Sequence, residues 1–299
     1  MSTPNGLFLE YLLSLKRPDV EELADLYLFR PLAFLLVKAI YRTPLTPNHL
    51  SVISMSLGIG SGLVLSIAGP AGAWAGAVLL FFAVVVDCSD GQLARLKHNG
   101  THMGRVVDGV VDYVVGLAVY LGLGLGFLPV VLPGLKGWLI LAAAGASNMI
   151  HSAFFDYYRI RYLAYIQGLR SAQIDDRNAF RREYVELGRR GGQELKRKFI
   201  RIYLGYTAFQ MKISRDPMTM GPIEPETFRK ANRFTMRLWT FLGSSTQAVL
   251  LIVMLALGRL DLYFWAMIVV LNAGMIALFL AQSALDFRVK SAAAAAASK

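Results

Sequence analysis

The chain has 299 residues, 55% of them hydrophobic and only 17% charged, with a formal net charge of +11 and a mean hydropathy of +0.47. A soluble domain carries about 25% charged residues, and here the charges cluster between long runs nearly free of them. An ordinary soluble globule is excluded and a polytopic membrane protein is indicated. Cys88 is the only cysteine, so no intrachain disulfide can form. No nucleic-acid partner is expected.

In chain order, residues 1–18 read as polar and lack the basic-then-apolar order of a signal peptide, so no cleaved leader is expected. Residues 19–40 set Glu21, Glu22 and Asp25 before an apolar run around Pro31, which reads as an interfacial amphipathic segment. Six apolar stretches follow, each long enough to cross a bilayer as a helix: 50–68, 71–89, 106–132, 137–157, 238–258 and 261–285. Helix is the expected state in lipid, where no water can satisfy open backbone groups.

Of the 31 Lys and Arg residues, 29 fall in residues 1–48, in the second-to-third and fourth-to-fifth connections, and in the tail. The other connections hold only Lys136 and Arg259. Positive-inside asymmetry places both termini and both basic loops in the cytoplasm, with the protein in the cell (inner) membrane. The long connection, 158–237, holds eighteen basic and eight acidic residues. Within it Leu195, Phe199, Ile202, Tyr206, Phe209 and Ile213 recur at steps of four and three, with Lys196, Arg197, Lys198, Arg201 and Lys212 on other faces. Two readings stay open: a basic helix on anionic lipid, or a solvated helix obeying charge bias alone. The Ala-rich stretch 292–297 reads as a frayed tail.

The second and third spans meet in an unusual way. Asp87 follows sixteen uncharged residues and Asp90 lies three further on, while Asp108 and Asp112, four apart, open the third span. These spacings put each pair on one helix face. Two facing helices would thus offer four carboxylates at one depth, near the cytoplasmic surface. An ionised Asp at a span centre costs about 2.5–3.5 kcal/mol, and four together also repel. Arg95 and Arg105 cannot neutralise them all. Hard divalent cations, Mg²⁺ or Mn²⁺, are the natural complement. Four carboxylates suit two ions about 3.5–4 Å apart, an arrangement used for displacement at phosphorus. Gly91, Ala94 and Gly104 remove bulk on the carboxylate side, and Arg95 offers a cationic fork for phosphate.

The residues Asp87, Asp90, Gly91, Ala94, Arg95, Gly104, Asp108 and Asp112 match all eight fixed positions of the CDP-alcohol phosphotransferase signature over 26 residues. The chain resembles that family also in its six spans, its amphipathic N-terminal segment and its Thr46-Pro47-Asn48 entry to the first span. The resemblance implies transfer of a phosphoalcohol group from a CDP-alcohol to a second alcohol, with release of CMP, one alcohol being a lipid. It implies that Asp87, Asp90 and Asp108 are metal ligands. Asp112 would be both ligand and base, and Gly91, Ala94, Arg95, Thr101, Gly104, Asn48 and Ser51 would line the CDP pocket. It further implies a homodimer. The roughly 80-residue insertion at 158–237 departs from the compact members.

The expected fold is therefore all-α integral membrane, with six transmembrane helices plus N-terminal and loop amphipathic interfacial helices. Residues 1–48 form the cytoplasmic N-terminal segment, 49–290 the six-span domain and 291–299 the tail. Two donor classes fit: CDP-diacylglycerol with a soluble acceptor, which the basic surface favours, or a soluble CDP-alcohol with a lipid acceptor. A cation carrier would spread acids over several spans, and the fifth and sixth spans carry none in their apolar cores. A scaffold that has lost catalysis is the remaining alternative. The GxxxG spacings at Gly58–Gly62, Gly72–Gly76 and Gly122–Gly126 read as helix packing. His49, His98, His102 and His151 show no metal-ligand spacing, although His151 and Asp156 could face the pocket. The run Tyr157 to Arg161 reads as an interfacial anchor.

Overall fold

The computed structural model describes residues 4–15, 17–100, 102–167, 180–189 and 223–297, with isolated positions between 194 and 205. Every regular element among the described residues is helical. The longer α-helices are, in chain order, α1 (Pro4–Ser14), α2 (Arg30–Ile40), α3 (Pro47–Ala68), α4 (Ala73–Leu96), α5 (His102–Gly122), α6 (Leu135–Gln167), α7 (Pro225–Trp239), α8 (Ser244–Ala256), α9 (Leu260–Trp265) and α10 (Leu271–Ala297). Four helical stretches are long and apolar enough to cross a membrane: Pro47–Leu96, Val107–Val131, Leu135–Gln167 and Leu260–Ala292. A fifth is made if α7 and α8, broken at Gly243, count together.

The described chain divides into two compact units: residues 1–152 with 240–274, and 153–239 with 275–299. In the first unit, α3 is launched by a capping box. Thr46 accepts from the His49 N–H, the His49 ring accepts from the Thr46 N–H, and Pro47 fills the first turn. His49 thus has a local structural role. The helix stops at Gly69, whose φ of +53° favours glycine and whose neighbour Gly126 approaches closely through its carbonyl. After one 3₁₀ turn, Gly69–Gly72, the chain doubles back into α4. Serines knit the hairpin: Ser61 donates to Gly76 O at 2.8 Å, Ser54 to Ala83 O at 2.9 Å and Ser51 to the Asp90 carboxylate at 2.5 Å. That ladder fixes α3 and α4 as antiparallel.

α5 lies along α3 in the parallel sense. A Cβ on Gly58 would meet Val115, one on Gly62 the Ala118 carbonyl, and one on Gly126 the Leu65 carbonyl. Small residues thus let backbones touch where lipid offers no hydrophobic drive to association. The GxxxG spacings are packing devices, as expected. Around them Leu65, Leu80, Leu123, Leu255 and Tyr263 form the core, while Ile67, Trp74, Leu117 and Leu135 face outward.

The N-terminal segment differs from the sequence reading. Residues expected to be plainly polar form α1, which carries Leu7, Phe8, Leu9, Leu12 and Leu13 exposed around the single charge of Glu10. The expected fifth span, 238–258, is interrupted at Thr240–Gly243. The cause is a cap supplied from afar. Glu22 accepts from the N–H groups of Ser245 and Thr246 and from the Thr246 hydroxyl, and Gly243 leaves room for its carboxylate. The first turn of α8 is thereby satisfied by a side chain more than 200 residues away. α6 runs ten residues past the expected 157, and the Ala-rich stretch continues α10 to Ala297, Ala being the strongest helix former.

The second unit packs on aromatics. Trp239 is fully buried, stacked on Tyr158 at 4.1 Å and flanked by Phe154, and Tyr165 stacks on Phe228 at 4.2 Å. Phe228, Asn232, Met236 and Trp239 form the buried stripe of α7. Arg161 pairs with Asp286 at 2.5 Å and Asp156 with Arg159 at 2.8 Å. Most of the amphipathic pattern expected over 195–213 lies outside the described residues.

Candidate metal centre

Antiparallel α4 ends where parallel α3 and α5 begin, so three helix ends meet at one level. There the carboxylate oxygens of Asp87, Asp90 and Asp108 lie within 4.8 Å of one another. Asp90 is buried, and Asp87 and Asp108 are half-buried. Unit charges at that separation repel by about 3 kcal/mol per pair at an effective dielectric of about 20. The arrangement therefore calls for positive charge between them, and all-oxygen donors fit a hard divalent ion. Asp112 lies one turn beyond Asp108, exposed and outside that three-carboxylate group.

The other expected residues distribute around this cluster. Ser51 holds Asp90 by its hydroxyl and bonds back to Pro47 O, so the first-span contact is to a carboxylate. Asn48 is exposed in the first turn of α3. Gly91 and Ala94 are half-buried on α4, and Gly104 is half-buried on α5. A Cβ on Gly91 would stand 3.4 Å from Arg95 Nη1. Arg95 donates from Nε to the Ser14 carbonyl at 2.5 Å. Thr101 lies outside the described residues. His151 bonds Asn272 at 3.0 Å, and Asn272 in turn donates to Ser147 at 2.8 Å, so these residues form a link of their own.

Sequence reasoning missed a buried polar layer behind the aspartate helix. Arg30 pairs with Glu21 at 2.8 Å and donates to Cys88 O at 3.3 Å, while Gln92 donates to Arg30 O at 3.1 Å. Cys88 also contacts Asp25 at 3.8 Å. Arg30 is within electrostatic reach of Asp90. Its signal was a lone cation inside the apolar run around Pro31. Glu22 sits outside the spans. Burial pushes its carboxyl up to about 7, with Asp25 adding repulsion against the pull of the Thr246 and Ser245 donors.

A family model described as CDP-alcohol phosphatidyltransferase matches residues 44–163, which span α3 to α6 and contain all four aspartates. The chain is 31% identical over 88 residues to a phosphatidylinositol phosphate synthase of Mycobacterium tuberculosis, covering 29% of this chain and 40% of that protein. It is 32% identical over 124 residues to a bifunctional IPC transferase and DIPP synthase of Rubrobacter xylanophilus, covering 41% and 25%. With a putative cardiolipin synthase of Mycobacterium tuberculosis it shares 35% identity over 85 residues, covering 28% and 39%. The chain thus spans less than half the length of these curated relatives. Residues 44–163, which carry the aspartate motif on α4 and α5, match the CDP-alcohol phosphatidyltransferase model, and over that stretch the chain is similar to these synthases.

Proposed function

We propose that the protein transfers a phosphatidyl group from CDP-diacylglycerol to an alcohol acceptor, releasing CMP, in phospholipid biosynthesis. The carrying observation is the three-carboxylate cluster of Asp87, Asp90 and Asp108 within the family's domain. The phosphatidyl products named for the mycobacterial synthase, and the basic cytoplasmic face expected from the sequence, favour the lipid donor.

In this reading Asp87, Asp90, Asp108 and Asp112 hold one or two Mg²⁺ or Mn²⁺ ions, whose charge offsets that of the diphosphate and of departing CMP. Arg95 binds a donor phosphate through its guanidinium, and Gly91, Ala94 and Gly104 keep the approach clear for it. Ser51 fixes the Asp90 carboxylate. Asn48 and Thr101 complete the nucleotide edge. Asp112, exposed on the same face as Asp108, takes the proton of the acceptor hydroxyl as its oxygen attacks phosphorus. A ligand carboxylate is a weak base at neutral pH, so positioning supplies much of the rate.

Six spans follow if the Pro47–Leu96 stretch is counted as two helices folded back at Gly69–Gly72, and α7–α8 as one broken span. α3, with 22 residues, is then about 33 Å long, enough for a hydrocarbon core of about 30 Å. The protein would lie in the cell membrane as a homodimer, its site and both termini cytoplasmic.

The test is CMP release by purified protein in lipid with Mg²⁺ or Mn²⁺. CDP-diacylglycerol, CDP-choline, CDP-ethanolamine and CDP-inositol are each crossed with a panel of alcohols. Release only with CDP-diacylglycerol, dependent on metal and acceptor and abolished in folded Asp112→Asn, is the expected result. Release with a soluble CDP-alcohol instead would transfer the reading to a lipid acceptor. No release from any donor by metal-loaded protein would reject it.

A further inference from the structure

We propose that α1 is a positioning strap for Arg95: the helix's C-terminal carbonyl ties down one edge of the guanidinium and so presents the other edge to the donor's phosphates. The inference rests on the reading above that Arg95 meets a phosphate, and adds the element that aims it.

Arg95 lies in the last turn of α4, where a long side chain with four rotatable bonds would otherwise sample many directions. Its Nε donates to the Ser14 carbonyl. Ser14 is fully buried and is the last residue of α1, so its carbonyl is one of those a helix end leaves unsatisfied. That end also carries the negative pole of the helix dipole, which suits a cation. The neighbouring carbonyls have other partners: Tyr11 O accepts from the Ser14 hydroxyl and Leu12 O from the Leu15 N–H. Ser14 O is left for Arg95.

Fixing Nε leaves the terminal nitrogens directed. Both lie over Gly91, 3.4 and 3.7 Å from where its Cβ would stand, next to Asp90, whose charge Arg95 feels. Nη2 is buried with no hydrogen-bond partner, a donor held ready on the carboxylate side of α4. A planar fork with one edge fixed loses less freedom when its other edge binds an oxyanion.

The strap is itself anchored. Glu10 pairs with Lys38 of α2 at 2.5 Å, the Tyr11 ring meets Phe34 edge-on at 5.2 Å, and the Tyr11 hydroxyl reaches Leu26 O at 3.4 Å. The Glu10–Lys38 pair is half exposed and includes none of the residues placed in the site, so it can be broken and remade without replacing a site residue.

The experiment measures CDP affinity in the presence of Mg²⁺ by calorimetry, and KM and kcat for the CDP donor, on the full-length protein in lipid. Arg95→Ala sets the full effect. Glu10→Lys is expected to weaken CDP binding about tenfold and to raise the donor KM more than it lowers kcat. The double variant Glu10→Lys/Lys38→Glu is expected to restore both. Glu10→Lys added to Arg95→Ala should cost nothing more, since the two act through one contact. The inference is overturned if Arg95→Ala weakens CDP binding while Glu10→Lys does not, or if the reversed pair fails to rescue. Unchanged affinity in Arg95→Ala would remove the phosphate role of Arg95 itself and the inference with it.

Discussion

The two units hold their helices together by opposite means. In the first, side chains are removed: Gly58, Gly62 and Gly126 bring backbones into contact, and Ser51, Ser54 and Ser61 bond across the gap. In the second, side chains are added: Trp239, Tyr158, Phe228 and Tyr165 fill the space between helices. Backbone contact leaves little freedom to shift, whereas an aromatic core can repack around a change in volume. The carboxylates sit at the end of the rigid set. Two helices, α4 and α5, offering acids in register need their backbones held in place.

The contrast can be broken at its strongest point. Gly126→Leu, with the Leu65 carbonyl already where its Cβ must go, should leave no folded, monodisperse peak on fluorescence-detected size exclusion in detergent. Recovery of folded protein would show that the contact between Gly126 and the Leu65 carbonyl yields. In the second unit Trp239→Phe should remain folded and lose about 1–3 kcal/mol, read as a lower thermal midpoint. A collapse as complete as that of Gly126→Leu would erase the distinction. Gly243→Ala sharpens it within the first unit. The added methyl displaces the Glu22 carboxylate from the start of α8, and loss of that cap should cost about 1–2 kcal/mol, visible as faster hydrogen exchange at Ser245 and Thr246.

The smallest effect is a pH slope. An acid whose pKa is raised in the folded state binds its proton more tightly there than when unfolded. Its stabilising contribution is therefore greatest below the unfolded value of 4.5 and declines as pH rises towards about 7. Glu22→Gln should flatten the fall of the thermal midpoint between pH 5 and 7.5. An unchanged slope would mean that Glu22 is ionised across that range in the native protein.

The parts of this molecule legible in sequence are those written locally. The aspartates at steps of three and four, the small residues at steps of four, and the Thr46-Pro47 start each carry their meaning within one or two turns. The rest depends on partners far apart in the chain. Glu22 caps a helix more than 200 residues later, and the only local trace is a glycine where a capping side chain would stand. Glu21 reads as part of an interfacial amphipathic segment and Arg30 as one cation in an apolar run, yet they pair in a buried layer against Cys88 and Gln92. The α1 residues read as a polar segment, although Leu7, Phe8, Leu9, Leu12 and Leu13 stand among Asn5, Gly6 and Glu10. The helix is held by Tyr11 on Phe34 and Glu10 on Lys38, contacts no local pattern contains.

The central claim is that Asp87, Asp90 and Asp108 form one metal site, and electron paramagnetic resonance of Mn²⁺ titrated into the purified protein tests it most directly. The account predicts saturable binding to the wild type, competed by Mg²⁺ and lost in folded Asp90→Asn and Asp108→Asn. Equal Mn²⁺ affinity in the wild type and in both variants would contradict it.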